Sequence, residues 1–142
     1  YSPQAGVDHN LAGSVAVVSA DVGTEYTAAA LVETLWELGR MATQPVTESE
    51  LDAARRYVAG VTALAVQTQA GLASYLVRLA RQGLGMEHLA SLPARVGAVT
   101  VDDVARLSAL FLAPARLVTC LVGEADVVGD AVAGIAPVTV HR

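Results

Sequence analysis

The chain has 142 residues, a formal net charge of −5 and a hydrophobic fraction of 54%. This length suits a single domain that buries its own core. The basic residues are all Arg and form no block, so the charge pattern indicates neither a nucleic acid nor an anionic membrane as a partner.

The first predicted element is a β-strand within "LAGSVAVVSADV", where Val15, Val17 and Val18 are β-branched and the run is bounded by Gly and Asp. The segment that follows, "GTEYTAAALVETLWELGRMAT", repeats apolar residues at helical spacing. It predicts a helix with Thr24 as the N-cap.

The clearest helix start lies in "QPVTESELDAARRYVAG". Thr47 is followed three residues later by Glu50, which is the spacing of a capping box. We expect this helix to continue, with a break near "QTQAG", until Gly83 or Gly85 ends it.

An uncharged stretch over residues 57–77 is long enough to suggest a membrane span. Gln67, Thr68 and Gln69 lie at its centre, which disfavours that interpretation. The stretch instead predicts a pair of buried helices, and no membrane span is expected.

The C-terminal third predicts a short helix with Pro93 near a turn, then a second capping box formed by Thr100 and Asp103. Pro114 should stop that helix. The apolar run "RLVTCLVGEA" predicts a central β-strand with Cys120 as a buried, inert thiol. The single cysteine gives no indication of an oxidising compartment, and a cytoplasmic location is expected. A short helix in "DVVGDAVAGI" and a terminal strand or tail, "PVTVHR", complete the chain.

This order of elements predicts an α+β fold, with an antiparallel or mixed sheet and helices stacked on one face in two layers. Strands so far apart along the chain cannot form a simple hairpin, and the sheet requires more strands than can be counted. Residues 1–142 are therefore expected to be one domain, and a C-terminal fragment of a larger protein.

No complete active site can be assembled from these residues. The histidines His9, His88 and His141 form neither H-E-x-x-H nor its inverse, H-x-x-E-H, so no metal ligand and no catalytic residue is predicted in this chain. The carboxylates Glu48, Glu50 and Asp52 lie in the first turn of a helix, where negative charge is favourable in itself and a solvated helix start is the simpler interpretation than acid–base catalysis.

The adjacent Arg55 and Arg56 are compatible with a partner or an acidic ligand. A solvated helix face is the simpler interpretation.

Taken in order, several segments resemble the C-terminal part of a pitrilysin/insulinase-type zinc metallopeptidase, similar to bacterial processing-peptidase-like proteins. "PVTESELDAARRYVAG" resembles a family signature at Pro45, Thr47, Glu50, Leu51, Ala54 and Gly60. "LPARVGAVTVDDVARLSALFLAPARLVTCLVGEAD" resembles the family's ending, and "GSVAVVSADVGTEYTAAALVETLWELGRM" its strand, turn and helix. The likeness covers almost the whole chain.

The resemblance implies a non-catalytic domain that closes a clam-shell chamber and helps to bind peptide. Zinc, bound by H-x-x-E-H, would belong to the N-terminal half of the parent, and no cofactor is expected in this chain. Tyr1 falls where the family has a substrate-binding Tyr, whereas the Arg that accompanies it is absent. The parent would hydrolyse peptides, and this chain alone would not.

The implied partners are the N-terminal catalytic half or a partner subunit, an unfolded peptide substrate and, as a further candidate, a second copy in a homodimer. Some members of the family are inactive copies that serve as scaffolds. The alternative is therefore a structural or subunit-interaction domain of a catalytically inactive homologue. An unrelated α+β binding module is a third interpretation.

The capping box yields the first testable prediction. Thr47→Ala removes the N-cap and should lower the free energy of unfolding by about 1 kcal/mol. Thermal or urea unfolding measures this change, and an unaltered melting temperature would argue against a helix start at this position.

Overall fold

The computed structural model describes residues 3–10 and 13–141, and these form an α+β structure. Two strands, β1 (Gln4–Asn10) and β2 (Gly13–Ser19), come first. The helices that follow are α1 (Thr27–Thr43), α2 (Glu48–Ala65), α3 (Gln69–Arg81), α4 (Met86–Ala90), α5 (Leu92–Gly97), α6 (Val101–Phe111) and α7 (Ala125–Ala133).

The two strands pair antiparallel as a hairpin, with Asn10 opposite Gly13 and Gln4 opposite Ser19. The strand expected around Val15 is confirmed as β2. Its partner β1 was not predicted, and the hairpin joins β2 to this neighbouring strand rather than to the distant segment expected to be a strand. β1 was missed because Gly6, Asp8 and His9 dilute its apolar character, so it gains its conformation by pairing rather than from its own sequence.

The first helix starts later than its sequence indicates. Residues Thr24–Tyr26 form a 3₁₀ turn, and α1 begins at Thr27 with no side-chain cap. Thr24 is therefore not an N-cap. Its carbonyl oxygen accepts a hydrogen bond from the Thr27 hydroxyl at 2.9 Å instead.

Both predicted capping boxes are present. In α2 the Glu50 backbone N–H donates to Thr47 Oγ1 at 3.2 Å, and the Thr47 N–H donates to Glu50 Oε2 at 2.8 Å. Thr100 and Asp103 repeat this arrangement at the start of α6. The starts of α2 and α6 are thus determined by local sequence.

The contribution of the Thr47–Glu50 capping box to stability depends on pH. The hydrogen bond from the Thr47 backbone, followed by that from its hydroxyl, lowers the pKa of the Glu50 carboxyl from its ordinary value of 4.5. A carboxyl whose pKa is lower in the folded state than in the unfolded state stabilises the fold fully at pH values above its unfolded pKa. That contribution is lost as the pH falls through the lower, folded pKa.

The break expected near "QTQAG" is confirmed as the junction between α2 and α3. Thr68 caps α3 by accepting a hydrogen bond from the Gly71 N–H at 3.0 Å. Gly71 lies so close to the preceding turn that a Cβ there would collide with the Ala65 carbonyl oxygen. At the other end Gly83, with φ of 72°, follows the last turn of α3.

The helices pack in two groups. α1 packs on α6 and α7, whereas α2 contacts α3 and α5, and α4 joins α3 to α5. Among the described residues, the buried apolar side chains are Leu51, Leu79 and Val132, and Ser108 is the buried polar one. Each lies on a different helix, so no single cluster forms a deep core.

One arginine links the two groups of helices. The Arg55 guanidinium, on α2, donates to the Asp52 carboxylate and to the carbonyl oxygen of Val99, which lies before α6. Its side chain is 23% exposed, and Glu48 lies 3.9 Å away. Arg55 is therefore occupied by contacts within the chain.

The strand predicted in "RLVTCLVGEA" is wrong. Residues 117–122 adopt no regular secondary structure, and Val118 and Val122 are 97% and 99% exposed. Cys120 is exposed rather than buried. A strand needs neighbours for its N–H and C=O groups, and the two-stranded sheet of the described residues has no third member beside this segment. The terminal strand is likewise not formed over residues 137–141, where the chain continues as a tail.

The accessible surface is large for the mass. The chain exposes 10562 Å², whereas a compact monomer of 14.6 kDa is expected to expose about 6,900 Å². Apolar side chains contribute to this surface on the hairpin, on α1, α2 and α6, and on residues 117–122. The expected buried helix pair is wrong in this respect, because Tyr57 and Leu64 of α2 are 71% and 67% exposed.

Two glycines provide a matched test of the α2–α3 junction. Gly60→Ala should raise the free energy of unfolding by about 0.5–1 kcal/mol, because Gly60 lies inside α2 with open space around its Cα. Gly71→Ala should lower it by about 1–3 kcal/mol, because the methyl group strikes the Ala65 carbonyl. Urea unfolding followed by circular dichroism measures both, and a shift of the same sign in the two variants would contradict the junction.

The two neighbouring arginines of α2 provide a second matched pair. Arg55→Gln should lower the free energy of unfolding by about 1–2 kcal/mol, since it removes the charged hydrogen bonds to Asp52 and Val99. Arg56→Gln, on the exposed face, should change it by less than about 0.5 kcal/mol. Equal losses in thermal unfolding would mean that Arg55 does not link the helices.

Candidate functional site

The predicted substrate-binding residue Tyr1 lies outside the described residues, so its assignment remains a prediction. Within residues 3–10 and 13–141, no group of three His, Cys, Asp or Glu side chains is arranged to hold a metal ion. No helix over the same residues is both long enough and apolar enough to cross a membrane.

The other residues considered as candidates have structural contacts. Glu50 belongs to the capping box, and Asp52 and Arg55 are hydrogen-bonded to each other. Arg56 is exposed on the same helix. The structure thus brings these residues together as the start and first turns of α2, and not as a cleft.

The hairpin presents both of its faces to solvent. All seven residues of β2 are exposed, including Val15 at 57%, Val17 at 41% and Val18 at 39%. Within the described residues each strand pairs only with the other, so each also has a free edge. A sheet of two strands is marginally stable without a covering layer or further strands.

The register indicates which backbone groups lie at the free edge of β1. Asn10 and Gly13 flank a connection of two residues, and such flanking residues normally exchange both hydrogen bonds. Bonded and non-bonded pairs then alternate along the ladder. Ala5, Val7 and His9 are consequently expected to direct their N–H and C=O groups away from β2.

A cavity of about 630 Å³ lies between β1 and the helices α3, α4 and α5. Three consecutive residues of β1, Val7, Asp8 and His9, form one wall. Successive side chains of a strand point to opposite faces, so a wall of three in a row lies along the strand's edge. No described residue of β2 lines the cavity. The cavity therefore borders the free edge of β1.

The opposite wall carries three arginines. Arg78 and Arg81 come from the end of α3, and Arg95 comes from α5. None of the three forms an ion pair with a described residue, whereas Arg40, Arg55 and Arg106 do. With Asp8 as the acidic residue of the described lining, the cavity is positively charged on a chain whose net charge is −5.

Neighbouring side chains orient two of these arginines. The Arg78 guanidinium lies 4.8 Å from the centre of the Tyr75 ring, a cation–π contact. The Arg95 Nη1 lies 2.8 Å from Nε2 and 3.1 Å from Nδ1 of His88. The same guanidinium nitrogen lies close to both ring nitrogens, so the Arg95 side chain contacts the His88 ring.

The third member of the β1 wall is also oriented. His9 Nδ1 is 2.8 Å from the Ser14 hydroxyl of β2, which fixes the imidazole across the hairpin. The described lining includes no Ser, Thr or Cys that a histidine could activate as a nucleophile. The cavity offers positive charge and backbone hydrogen-bonding groups, which are the elements of a binding site.

None of the cavity's arginines was singled out from the sequence. Arg78 and Arg81 are three residues apart, which places them on one helix face, and this spacing was the available signal. Arg95 joins them only because α4 turns the chain back toward α3. His9 and His88 were noted as histidines without partners, and the structure places both at this cavity.

Comparison of the chain with protein-family models, with curated proteins and with solved structures finds no match.

Proposed function

We propose that this chain is a non-catalytic domain of a zinc metalloendopeptidase, in which it closes the chamber and binds extended peptide substrate along β1. The observation that carries the proposal is the free edge of β1 beside an open cavity. An extended peptide can add to such an edge as a further strand. Its backbone supplies the affinity, and the neighbouring cavity receives alternate side chains.

The marginal stability of a two-stranded hairpin supports this role. Two strands with exposed valines on both faces gain stability when a third strand or a covering layer is added. Ala5, Val7 and His9 offer the hydrogen-bonding groups that an added strand requires. The peptide would therefore complete a sheet that the chain leaves incomplete.

The peptidase part of the proposal rests on the sequence resemblance. The motifs around Thr47 and Thr100 form helix starts in the structure, in keeping with that resemblance but not specific to it. Zinc and its ligands would come from the N-terminal half or from a partner subunit. A cytoplasmic location is part of the same proposal, since a chain with one cysteine has no internal disulfide to protect.

A second candidate is a structural or subunit-interaction domain of an inactive homologue. The exposed aromatic residues Trp36 and Phe111, at 58% and 57%, favour it, because they lie on α1 and α6 and do not line the cavity. The excess surface of roughly 3,600 Å² over that of a compact monomer is also large enough for an extensive subunit interface. An H-x-x-E-H motif in the rest of the protein, together with bound zinc, separates the first candidate from the second.

Strand addition is tested with a neutral, fluorescently labelled peptide of about eight alternating Gln and Val residues. Val7→Pro should weaken its binding by about tenfold, because proline removes an N–H from the free edge of β1. Fluorescence anisotropy gives the dissociation constant, and circular dichroism checks that the variant retains its secondary structure.

The matched control is Ala16→Pro. Ala16 is the partner of Val7 in the register, so the same change removes an N–H from the opposite edge, on β2. This variant should bind the peptide as the unmodified chain does. Loss of binding in Ala16→Pro and not in Val7→Pro would contradict the assignment to β1, and no binding to the unmodified chain would contradict strand addition.

A further inference from the structure

We infer that the cavity beside β1 selects peptides that carry carboxylates, through Arg78, Arg81 and Arg95. This inference rests on the proposed function for the peptide as the ligand, and it adds the chemistry of the side chains that the site prefers. Arg78 and Arg81 lie outside the segments that resemble a peptidase family, and Arg95 lies within the segment that resembles the family's ending.

The arginines of the cavity lack counter-charges among the described residues. Three guanidinium groups line one cavity, and among the described residues none has a carboxylate partner. Asp8, on the β1 wall, balances at most one of them. The three side chains are exposed, so water solvates them when no ligand is bound. Guanidinium groups present paired N–H donors whose geometry matches a carboxylate, so a carboxylate is the ligand group that replaces this water best.

Helix ends explain part of this arrangement but not all of it. Arg78 and Arg81 lie in the last turn of α3, and Arg95 lies in the last turn of α5, where positive charge is favourable. That effect acts on each helix separately. It does not account for the convergence of both helix ends on one cavity, which a ligand with negative charge would use.

Neighbouring side chains orient two of the three arginines. Tyr75 holds the Arg78 guanidinium against its ring, and the His88 ring contacts the Arg95 guanidinium. A cation that is already held in place loses less conformational entropy when a ligand binds. Two of the three arginines are therefore partly preorganised on the wall that faces β1.

The strand edge that faces the arginines favours a peptide over a small anion as the ligand. The wall opposite the arginines is the strand edge of Val7, Asp8 and His9, where Val7 and His9 are expected to direct their backbone donors and acceptors away from β2. A peptide backbone matches that edge, and its side chains on one face would project toward the cavity. The carboxylates belong either to Asp and Glu side chains or to the C-terminus of the peptide.

The test compares peptides of about eight residues that differ only in charge. Alternating Glu and Val residues form the acidic peptide, alternating Gln and Val residues form the neutral one, and both have blocked ends. A third, neutral peptide has a free C-terminal carboxylate. The acidic peptide should bind at least about tenfold more tightly than the blocked neutral peptide, and less so at high salt.

If the free C-terminus alone reproduces the gain in affinity, the carboxylate is that of the peptide's end. If only the Glu peptide shows the gain, it is that of side chains. Equal binding of all three peptides would overturn the inference.

The variants locate the effect. Arg78→Gln combined with Arg81→Gln should remove most of the preference for the acidic peptide, and Arg95→Gln, on a separate helix, should lower it independently. Arg56→Gln, which removes an exposed arginine of α2 that does not line the cavity, should leave the preference unchanged. A loss in Arg56→Gln as large as in the cavity variants would mean that only net charge matters, which would overturn the inference.

Backbone N-methylation separates this inference from strand addition. If the cavity selects carboxylates but no strand is added, an N-methylated Glu–Val peptide binds as tightly as its parent, and its binding still depends on Arg78 and Arg81. If strands are added but the cavity is not selective, the Glu and Gln peptides bind equally and N-methylation abolishes the binding of both. Each idea can thus fail without the other.

Discussion

The structure depends on a ratio of surface to buried core that is unusual for a chain of this size. Three apolar residues are buried among those described, and the accessible surface is about 1.5 times that expected for the mass. Hydrophobic burial normally supplies the main free energy of folding. Here local interactions contribute a larger share of the stability. They are the two capping boxes, the Thr68 cap and the contacts of Arg55.

The parts of the fold that could be predicted are those determined within a few residues. Thr47 with Glu50 and Thr100 with Asp103 satisfy helix N-termini from inside their own segments, and Gly83 ends α3 because glycine tolerates a positive φ. These signals need no information about the rest of the molecule. The starts of α2 and α6 and the end of α3 followed from them, whereas Thr24 did not mark the start of α1.

The parts that failed depend on distant partners. The apolar run around Val118 and Cys120 has the composition of a buried strand, but a strand forms only beside another strand. β1 shows the converse, since its weak pattern is stabilised by pairing with β2. The cavity was not predicted for the same reason, because three arginines on two helices meet only through tertiary packing. Tyr1, the residue chosen from the family resemblance, lies outside the described part of the chain and stays a prediction.

Both proposals concern one surface, which is formed by the edge of β1 and the cavity beside it. The edge of β1 supplies backbone groups without regard to sequence, and the arginines across the cavity supply charge that discriminates among side chains. A binding site with both parts can bind many unfolded segments and still bind some of them more tightly than others. The exposed apolar faces of α1, α6 and residues 117–122 lie outside this cavity lining and are available for contact with another protein subunit.

The outer edge of β2 has a consequence for how the chain must be made. Its sequence, "GSVAVVS", has no charge and no proline, which are devices that keep free strand edges of different molecules from pairing with each other. β1 has Asp8 beside its own edge, but β2 has no comparable protection. An apolar edge of this kind nucleates aggregation when it is left uncovered. The edge of β2 is therefore open to pairing with other strands from the moment the hairpin forms, and a layer that covered it early in assembly would limit that pairing.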